Sequence, residues 1–283
     1  MRSSGKQAPV STPPGVRTAD VLSLDGAAAL RREDLVAREE PLEIQLGPAS
    51  LAVVMRTPGH DEDLALGFLV TERVVASPAD IVSIRHCSTA ASPEAEDNVI
   101  RVVLAPHVEV DLAALRRNLY ASSSCGICGK ATIENAMATA SALSGDDSRF
   151  AAAVVRELPA GLGRLQDDFR LTGGLHAAGL FRADGSLLAV REDVGRHNAV
   201  DKVIGWAARE GLLPLAGHAL MVSGRVSYEI VQKALAARIP LVAAVSAPTS
   251  LAIDLAEEAG ITLVAFLREQ KMNVYAHPAR ILS

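Results

Sequence analysis

Aromatic residues account for only 3% of the chain, with a single Trp. The core therefore has to be assembled from Ala, Val, Leu and Ile, which suits closely packed layers of helix on sheet. Cysteine is scarcer still: Cys87, Cys125 and Cys128 are the only three. An odd, small number in 283 residues argues against a disulfide scaffold and for reduced, cytosolic thiols. No apolar run approaches the roughly 20 residues that span a bilayer, so membrane insertion is not expected. The opening stretch MRSSGKQAPVSTPPGVRT also lacks the apolar centre of a secretory signal. Excess positive charge is missing too. The formal net charge is −5, the wrong sign for a nucleic-acid coat, although it leaves room for one local basic pocket for a phosphate. What the chain does have is 49% hydrophobic and 22% charged residues. That is the balance of a globular protein, long enough for one large or two modest domains.

Residues 1–20 are rich in Ser, Pro and Gly and read as a disordered tail. Residues 21–120 read as a β-rich α+β subdomain. PLEIQLG and SLAVVMRTPG alternate apolar and polar residues around a Gly47-Pro48 turn, the pattern of a hairpin. DEDLALGFLVTERVV has helical spacing, with acids in the first turn where the helix dipole favours them. IVSIRHCST and NVIRVVLAP read as a second strand pair, around the acidic loop SPEAEDN, with a short helix over DLAALRRNLYA. Residues 121–283 then alternate helix and strand. LPAGLGRLQDDFR is helical and HAAGLF, SLLAVREDVG, HALMVSGR, LVAAVSA and ITLVAFLRE are strands. RHNAVDKVIGWAAREG, VSYEIVQKALAARIP and SLAIDLAEEAG are helices. Continuous apolar strands suit a sheet covered on both faces, so this half is an α/β layer with mixed or parallel strands.

The chemistry centres on SSSCGICGK. Its glycines allow tight backbone geometry, and an Ala-rich helical stretch follows. Exposed amides, a helix start and Lys130 would all favour thiolate over thiol. A thiolate at neutral pH can attack a persulfide, accept its outer sulfur and pass it on, while the second cysteine assists or closes a disulfide. Two cysteines this close can also be half of a zinc site. No second CxxC exists, so further ligands would have to come from His107, His176 or His197. His107-Val108-Glu109 upstream adds a deaminase-like alternative, since zinc deaminases pair H-x-E with P-C-x-x-C. Here Ser124 stands in place of the Pro.

Three further polar clusters fall at strand ends, where open α/β sheets bind ligands. Arg191–Asn198 (REDVGRHN) ends a strand and opens a helix, so that Arg196 and His197 could meet a phosphate; the plain alternative is a solvated helix cap. Ser223-Gly224-Arg225 offers a hydroxyl, an amide and a guanidinium, and Ser246–Ser250 repeats the placement. Thr172-Gly173-Gly174-Leu175-His176 precedes a strand. Its glycine amides could approach an anion, or form an ordinary turn with a satisfied His176.

Taken together, SSCGICGK, TGGLHAAGLF, REDVGRHNAVDKVIG, LMVSGRVSYEIVQKA, IPLVAAVSAPTSLAIDLAEEAGITLVAFLR and NVYAHPARI resemble the FdhD family of formate dehydrogenase accessory sulfurtransferases. The likeness runs in order from about residue 38 onward. It implies a cytoplasmic, homodimeric sulfur carrier with a cytidine-deaminase-like mixed sheet flanked by helices. The implied partners are a cysteine desulfurase as donor and formate dehydrogenase as the enzyme served. The implied bound substrate is the bis-guanine-dinucleotide molybdenum cofactor, with no catalytic metal of the chain's own. It places the persulfide on Cys125, with Cys128 as the second cysteine. It also places the cofactor's nucleotide against Phe266, Leu267, Arg268, Glu269, Gln270 and Lys271, where Arg268 and Lys271 suit a pyrophosphate. A zinc-dependent hydrolase and a non-covalent cofactor chaperone are the alternatives.

Overall fold

The computed structural model describes residues 12–26, 28–87, 97–112, 115, 141–143, 145–269 and 271–283. It opens with an antiparallel hairpin, β1 (Val16–Asp25) and β2 (Ala28–Ala37), paired from Val16 opposite Ala37 to Asp25 opposite Ala28. Residues 16–20, expected in a disordered tail, are therefore strand. Most side chains of β1 are exposed. The strand is held by its ladder to β2 and carries no buried apolar alternation that would mark it in the sequence.

The expected hairpin around Gly47-Pro48 forms as β3 (Glu40–Leu46) and β4 (Ala49–Arg56), with Gly47 at φ 57. Next come α1 (Asp61–Thr71), β5 (Ile81–His86) and β6 (Val99–Leu104). The four strands make a sheet in the order β4-β3-β6-β5, antiparallel except for β3 against β6. The short helix expected over DLAALRRNLYA and the CxxC segment lie mostly or wholly outside the described residues.

The remainder runs β7 (Phe150–Ala151), α2 (Ala152–Gly163), α3 (Asp167–Thr172), β8 (His176–Arg182), β9 (Leu187–Asp193) and α4 (Arg196–Arg209). It continues through β10 (His218–Val222), α5 (Tyr228–Ala236), β11 (Leu241–Ala244) and α6 (Ser250–Ala259). It closes with β12 (Thr262–Arg268), β13 (Lys271–Ala276) and β14 (Ile281–Leu282). Six of these strands form one mixed sheet, ordered β13-β12-β11-β10-β8-β9. Its centre, β10-β11-β12, is parallel, as expected for strands joined by helices. β8, β9 and β13 run antiparallel to their neighbours.

Both faces of this sheet are covered. On one face, Val155, Leu158 and Leu162 of α2 pack with Phe181, Met221, Leu241 and Val264. On the other, α1, α4, α5 and α6 contribute to a larger cluster that also takes in Leu42, Ile44, Ile100 and Val102 of the four-stranded sheet. The two sheets thus share one core. Helices α1 and α4 cross almost backbone to backbone: a Cβ added to Gly67 would stand 1.8 Å from the carbonyl oxygen of Asp201. One added to Gly205 would stand 1.8 Å from that of Asp63. With few aromatics to fill space, small residues bring the layers together. Among the described residues no helix is long and apolar enough to cross a membrane.

Candidate functional site

The topology sends five segments to one end of the six-stranded sheet. β10, β11 and β12 are parallel, so Ser223–Ser227, Val245–Thr249 and the segment from Phe266 onward leave from the same end. β8 is antiparallel to β10 and starts there with His176, and β9 ends opposite it, with Asp193 paired to His176. The loops are stitched together. The Val226 amide donates to the Ala247 carbonyl (3.1 Å), the Thr249 amide to the Val226 carbonyl (2.9 Å) and the Phe266 amide to the Ser246 carbonyl (3.1 Å).

Behind this end lies a layer of buried charge. Asp193 and Lys202 are almost fully buried, and Lys202 Nζ stands 2.7 Å from Asp193 Oδ2. The same carboxylate accepts from the amides of Thr57 (3.1 Å) and Gly195 (2.8 Å) and from Asn198 Nδ2 (2.9 Å). Lys202 also donates to the Thr57 carbonyl (2.8 Å). The turn from β9 into α4 is thereby fastened to the end of β4 through the buried Asp193, while the rest of REDVGRHN is partly exposed. A second lock sits deeper. Lys233 Nζ contacts Asp201 Oδ2 (2.9 Å), Glu72 Oε1 (3.0 Å) and Thr71 Oγ1 (2.9 Å), joining α1, α4 and α5. Burial alone would discharge Lys233. Asp201 and Glu72 outweigh that and hold its pKa above the ordinary lysine value. A third joins Arg56, itself buried, to both oxygens of Asp61 at 3.0 and 2.9 Å.

The sequence-selected residues divide on this frame. His197 turns toward Ser227 (Nε2 to Oγ, 3.2 Å) and approaches Glu229 at 3.8 Å. Burial, followed by the charges of Arg196 and Lys233, lowers its pKa to about 3, so the ring is neutral and makes no ion pair with Glu229. Ser223 Oγ accepts the Ala177 amide (2.9 Å), linking β10 to β8, and keeps its own proton to donate. Arg225 is exposed beside it. Phe266, Arg268, Glu269 and Lys271 are exposed, with Phe266 at φ 51 and Glu269 at φ 44 in the left-handed region. Arg268 pairs with Lys271 across the turn from β12 to β13. Leu267 is buried in the core, which leaves only its backbone for a ligand. Cys125, Cys128 and Gln270 lie outside the described residues.

Gly173 ends α3 at φ 66 and donates its amide to the Phe169 carbonyl (2.7 Å), so Gly173-Gly174 is an ordinary turn. His107 stands exposed just after β6, 3.2 Å from Asp80 Oδ1. Missed altogether were the buried partners Asp63, Asp201, Lys202 and Lys233. Lys202 stands in a run, AVDKVIG, that is apolar on both sides. A charge flanked by apolar residues in this way is a signal of pairing in the interior.

The neutral His197 makes a pH prediction. Its pKa is depressed in the fold, so at low pH the unfolded chain takes up a proton that the native chain refuses. The stability contributed is complete above about pH 6.5 and is lost as pH falls toward 3. By pH 5 this amounts to about 2 kcal/mol. Urea unfolding at pH 7.5 and pH 5 should show the wild type losing that much more than His197→Gln. Equal losses would mean the ring is not held neutral.

A mixed sheet covered on both faces, with hydroxyls, amides and cationic side chains gathered at its strand ends, is the architecture of an α/β ligand-binding protein. The chain belongs to the FdhD/NarQ family, whose family model matches residues 37–282. Sulfur carrier protein FdhD of Mycolicibacterium paratuberculosis is 51% identical over 264 residues, covering 92% of this chain and 97% of its own. The protein of that name from Sulfolobus acidocaldarius is 46% identical over 249 residues, covering 88% and 92%. A crystal structure from Desulfotalea psychrophila, of a protein assigned as a formate dehydrogenase accessory protein, matches with a TM-score of 0.72. It covers 95% of this chain and 100% of its own at 24% identity, and so shares the fold.

Proposed function

We propose that this chain carries sulfur for the maturation of formate dehydrogenase. It takes persulfide sulfur from a cysteine desulfurase onto Cys125 and delivers it to the bis-guanine-dinucleotide molybdenum cofactor, which is its substrate. The observation that carries this reading is the identity, 51% across 92% of the chain, to a protein named as a sulfur carrier. The CGIC segment supplies matching chemistry. The Cys125 thiolate attacks the outer sulfur of the donor persulfide. The donor's S–S bond breaks, the donor leaves as a thiolate, and Cys125 is left bearing –S–SH. Attack by the Cys128 thiolate on the Cys125 sulfur then closes a disulfide and releases sulfide to the cofactor. A cellular dithiol must afterwards reduce the pair. In this reading the protein is a cytoplasmic homodimer with no catalytic metal of its own, and its larger sheet is related to that of cytidine deaminase. The polar strand ends support the reading by offering an anionic cofactor a place to sit.

The test is mass spectrometry after incubation with a cysteine desulfurase and cysteine. The wild type should gain about one sulfur atom per chain, and Cys125→Ala should gain none. Equal loading of Cys125→Ala would remove Cys125 from the role. Complementation of a deletion strain separates this from a non-covalent chaperone, because a Cys125→Ser, Cys128→Ser double variant should leave formate dehydrogenase inactive.

A further inference from the structure

We propose that the outward face of the four-stranded sheet is the surface on which formate dehydrogenase docks, meeting it with carboxylates set among apolar side chains. Naming formate dehydrogenase as the occupant rests on the function proposed above. The acidic and apolar character of its docking patch rests on the face alone.

Alternation along the strands sorts their side chains. Leu42, Ile44, Ile100 and Val102 turn inward to the core shared with the larger sheet. The register places the opposite set together on the outer face. Met55 lies opposite Pro41, Val53 opposite Glu43, Arg101 beside Gln45, Arg85 opposite Arg101 and Val103 opposite Ser83. A sheet with one free face ordinarily turns polar residues to water. Here Val53, Met55 and Val103 are 55%, 49% and 42% exposed, and Pro41 is exposed beside Met55. Apolar residues scattered singly over a surface need no explanation, but these share one face.

The charge on this face is one-sided. Arg85 and Arg101 stand directly opposite each other on β5 and β6, the placement in which like charges cost a sheet stability. Neither has an ion pair among the described residues; Arg101 reaches only Gln45 Oε1, at 3.3 Å. Glu43, two strands from Arg85, pairs with neither. Carboxylates from a partner would turn this repulsion into two charge-assisted contacts, with the apolar residues packed around them. A second copy of the chain answers the charge poorly, because it would bring four arginines, two from each face, against two glutamates. Strand addition at the edge is disfavoured as well. β5 is the edge strand, and its register shifts between Ile81 and Ser83, the kind of irregularity that blunts an edge.

Placement selects the occupant. The apolar end of the face adjoins the strand ends of the larger sheet, because Asn198, in the first turn of α4, donates to the Met55 carbonyl at 2.7 Å. An enzyme that receives its cofactor from those strand ends has to lie against a surface continuous with them, and this face is continuous with them through β4.

The test is titration of the full chain with formate dehydrogenase purified from a strain lacking this protein. The wild type should bind, and more weakly as salt is raised from about 0.05 M to about 0.3 M. Arg85→Glu should weaken binding about tenfold or more. The same variant should raise the urea midpoint, since a repulsive cross-strand pair becomes an attractive one. Weaker binding by a more stable chain cannot come from misfolding. Met55→Ser should weaken binding without changing its salt dependence. A wild type that does not bind, or Arg85→Glu that binds as tightly as the wild type, overturns the proposal. So does a change of oligomeric state in Arg85→Glu by sedimentation, which gives the face to a second copy, or its loss of binding to phosphatidylglycerol vesicles, which gives it to a membrane. Sulfur loading of Cys125 by a cysteine desulfurase keeps the two readings apart. Loading by a wild type whose binding ignores Arg85 defeats the docking face alone. Binding that depends on Arg85, in a chain that never loads sulfur, defeats the carrier reading alone.

Discussion

Gly67→Ala and Gly205→Ala should each lower the free energy of unfolding by about 3 kcal/mol, at the upper end of the range for inserting a methyl into a packed interface. The new methyl would meet a backbone carbonyl oxygen at 1.8 Å in either case. A side chain can rotate out of the way, but a carbonyl inside a helix cannot. Relief requires α1 and α4 to move apart along their whole crossing, which opens the core around Leu64, Phe68, Val200 and Ile204. The measurement is the urea midpoint at unchanged slope. Gly163→Ala serves as the control. It lies at the exposed end of α2 with nothing within 4 Å of the added methyl, and it should be neutral or slightly stabilising. Because one separation accommodates both methyls, the Gly67→Ala, Gly205→Ala double variant should cost less than the sum of the two. A cost below about 1 kcal/mol for either single variant would mean the helices do not touch there.

This crossing also shows where sequence reading stops. The helices themselves are legible. α1 follows from apolar spacing after three acids, and α6 from a Thr249 cap at one end and Gly260 at φ 74 at the other. The hairpin at Gly47, the strand pair β5–β6 and the three parallel strands follow from local alternation or apolar runs. What local pattern cannot carry is a partner's identity. β1 is strand because β2 pairs with it, 10 residues against 10, and its exposed side chains leave no trace of that. Gly67 and Gly205 look like ordinary helix weaknesses until each is set against the other. The same limit applies to the site. Strand ends with Ser, Arg and His can be picked out singly, yet helix caps use the same residues. Only the order β12-β11-β10-β8-β9 shows that those ends are neighbours. His197 and His176, two similar histidines in sequence, are separated only by packing, one engaged with Ser227 and the other without a side-chain partner among the described residues.

Lys202→Met should destabilise the chain by about 3–5 kcal/mol, the usual cost of stripping one partner from a buried ion pair. Methionine matches the length and fills the space of the lysine stem, so packing changes little. What changes is Asp193, which is fully buried and would be left with only two amides and Asn198 to answer it. The pair need not make the fold more stable than an apolar substitute would; the penalty comes from leaving half of it behind. A double-mutant cycle separates the two ideas: Lys202→Met should cost clearly less in an Asp193→Asn background than in the wild type. The lock also has a position to hold. Asp193 fixes the Gly195 amide immediately before Arg196, while Lys202 reaches the Thr57 carbonyl at the end of β4. Loosening it frees the first turn of α4, so Lys202→Met should speed hydrogen exchange of the Gly195 amide even at temperatures where the variant stays folded. Exchange as slow in Lys202→Met as in the wild type would mean that the lock does not hold that turn.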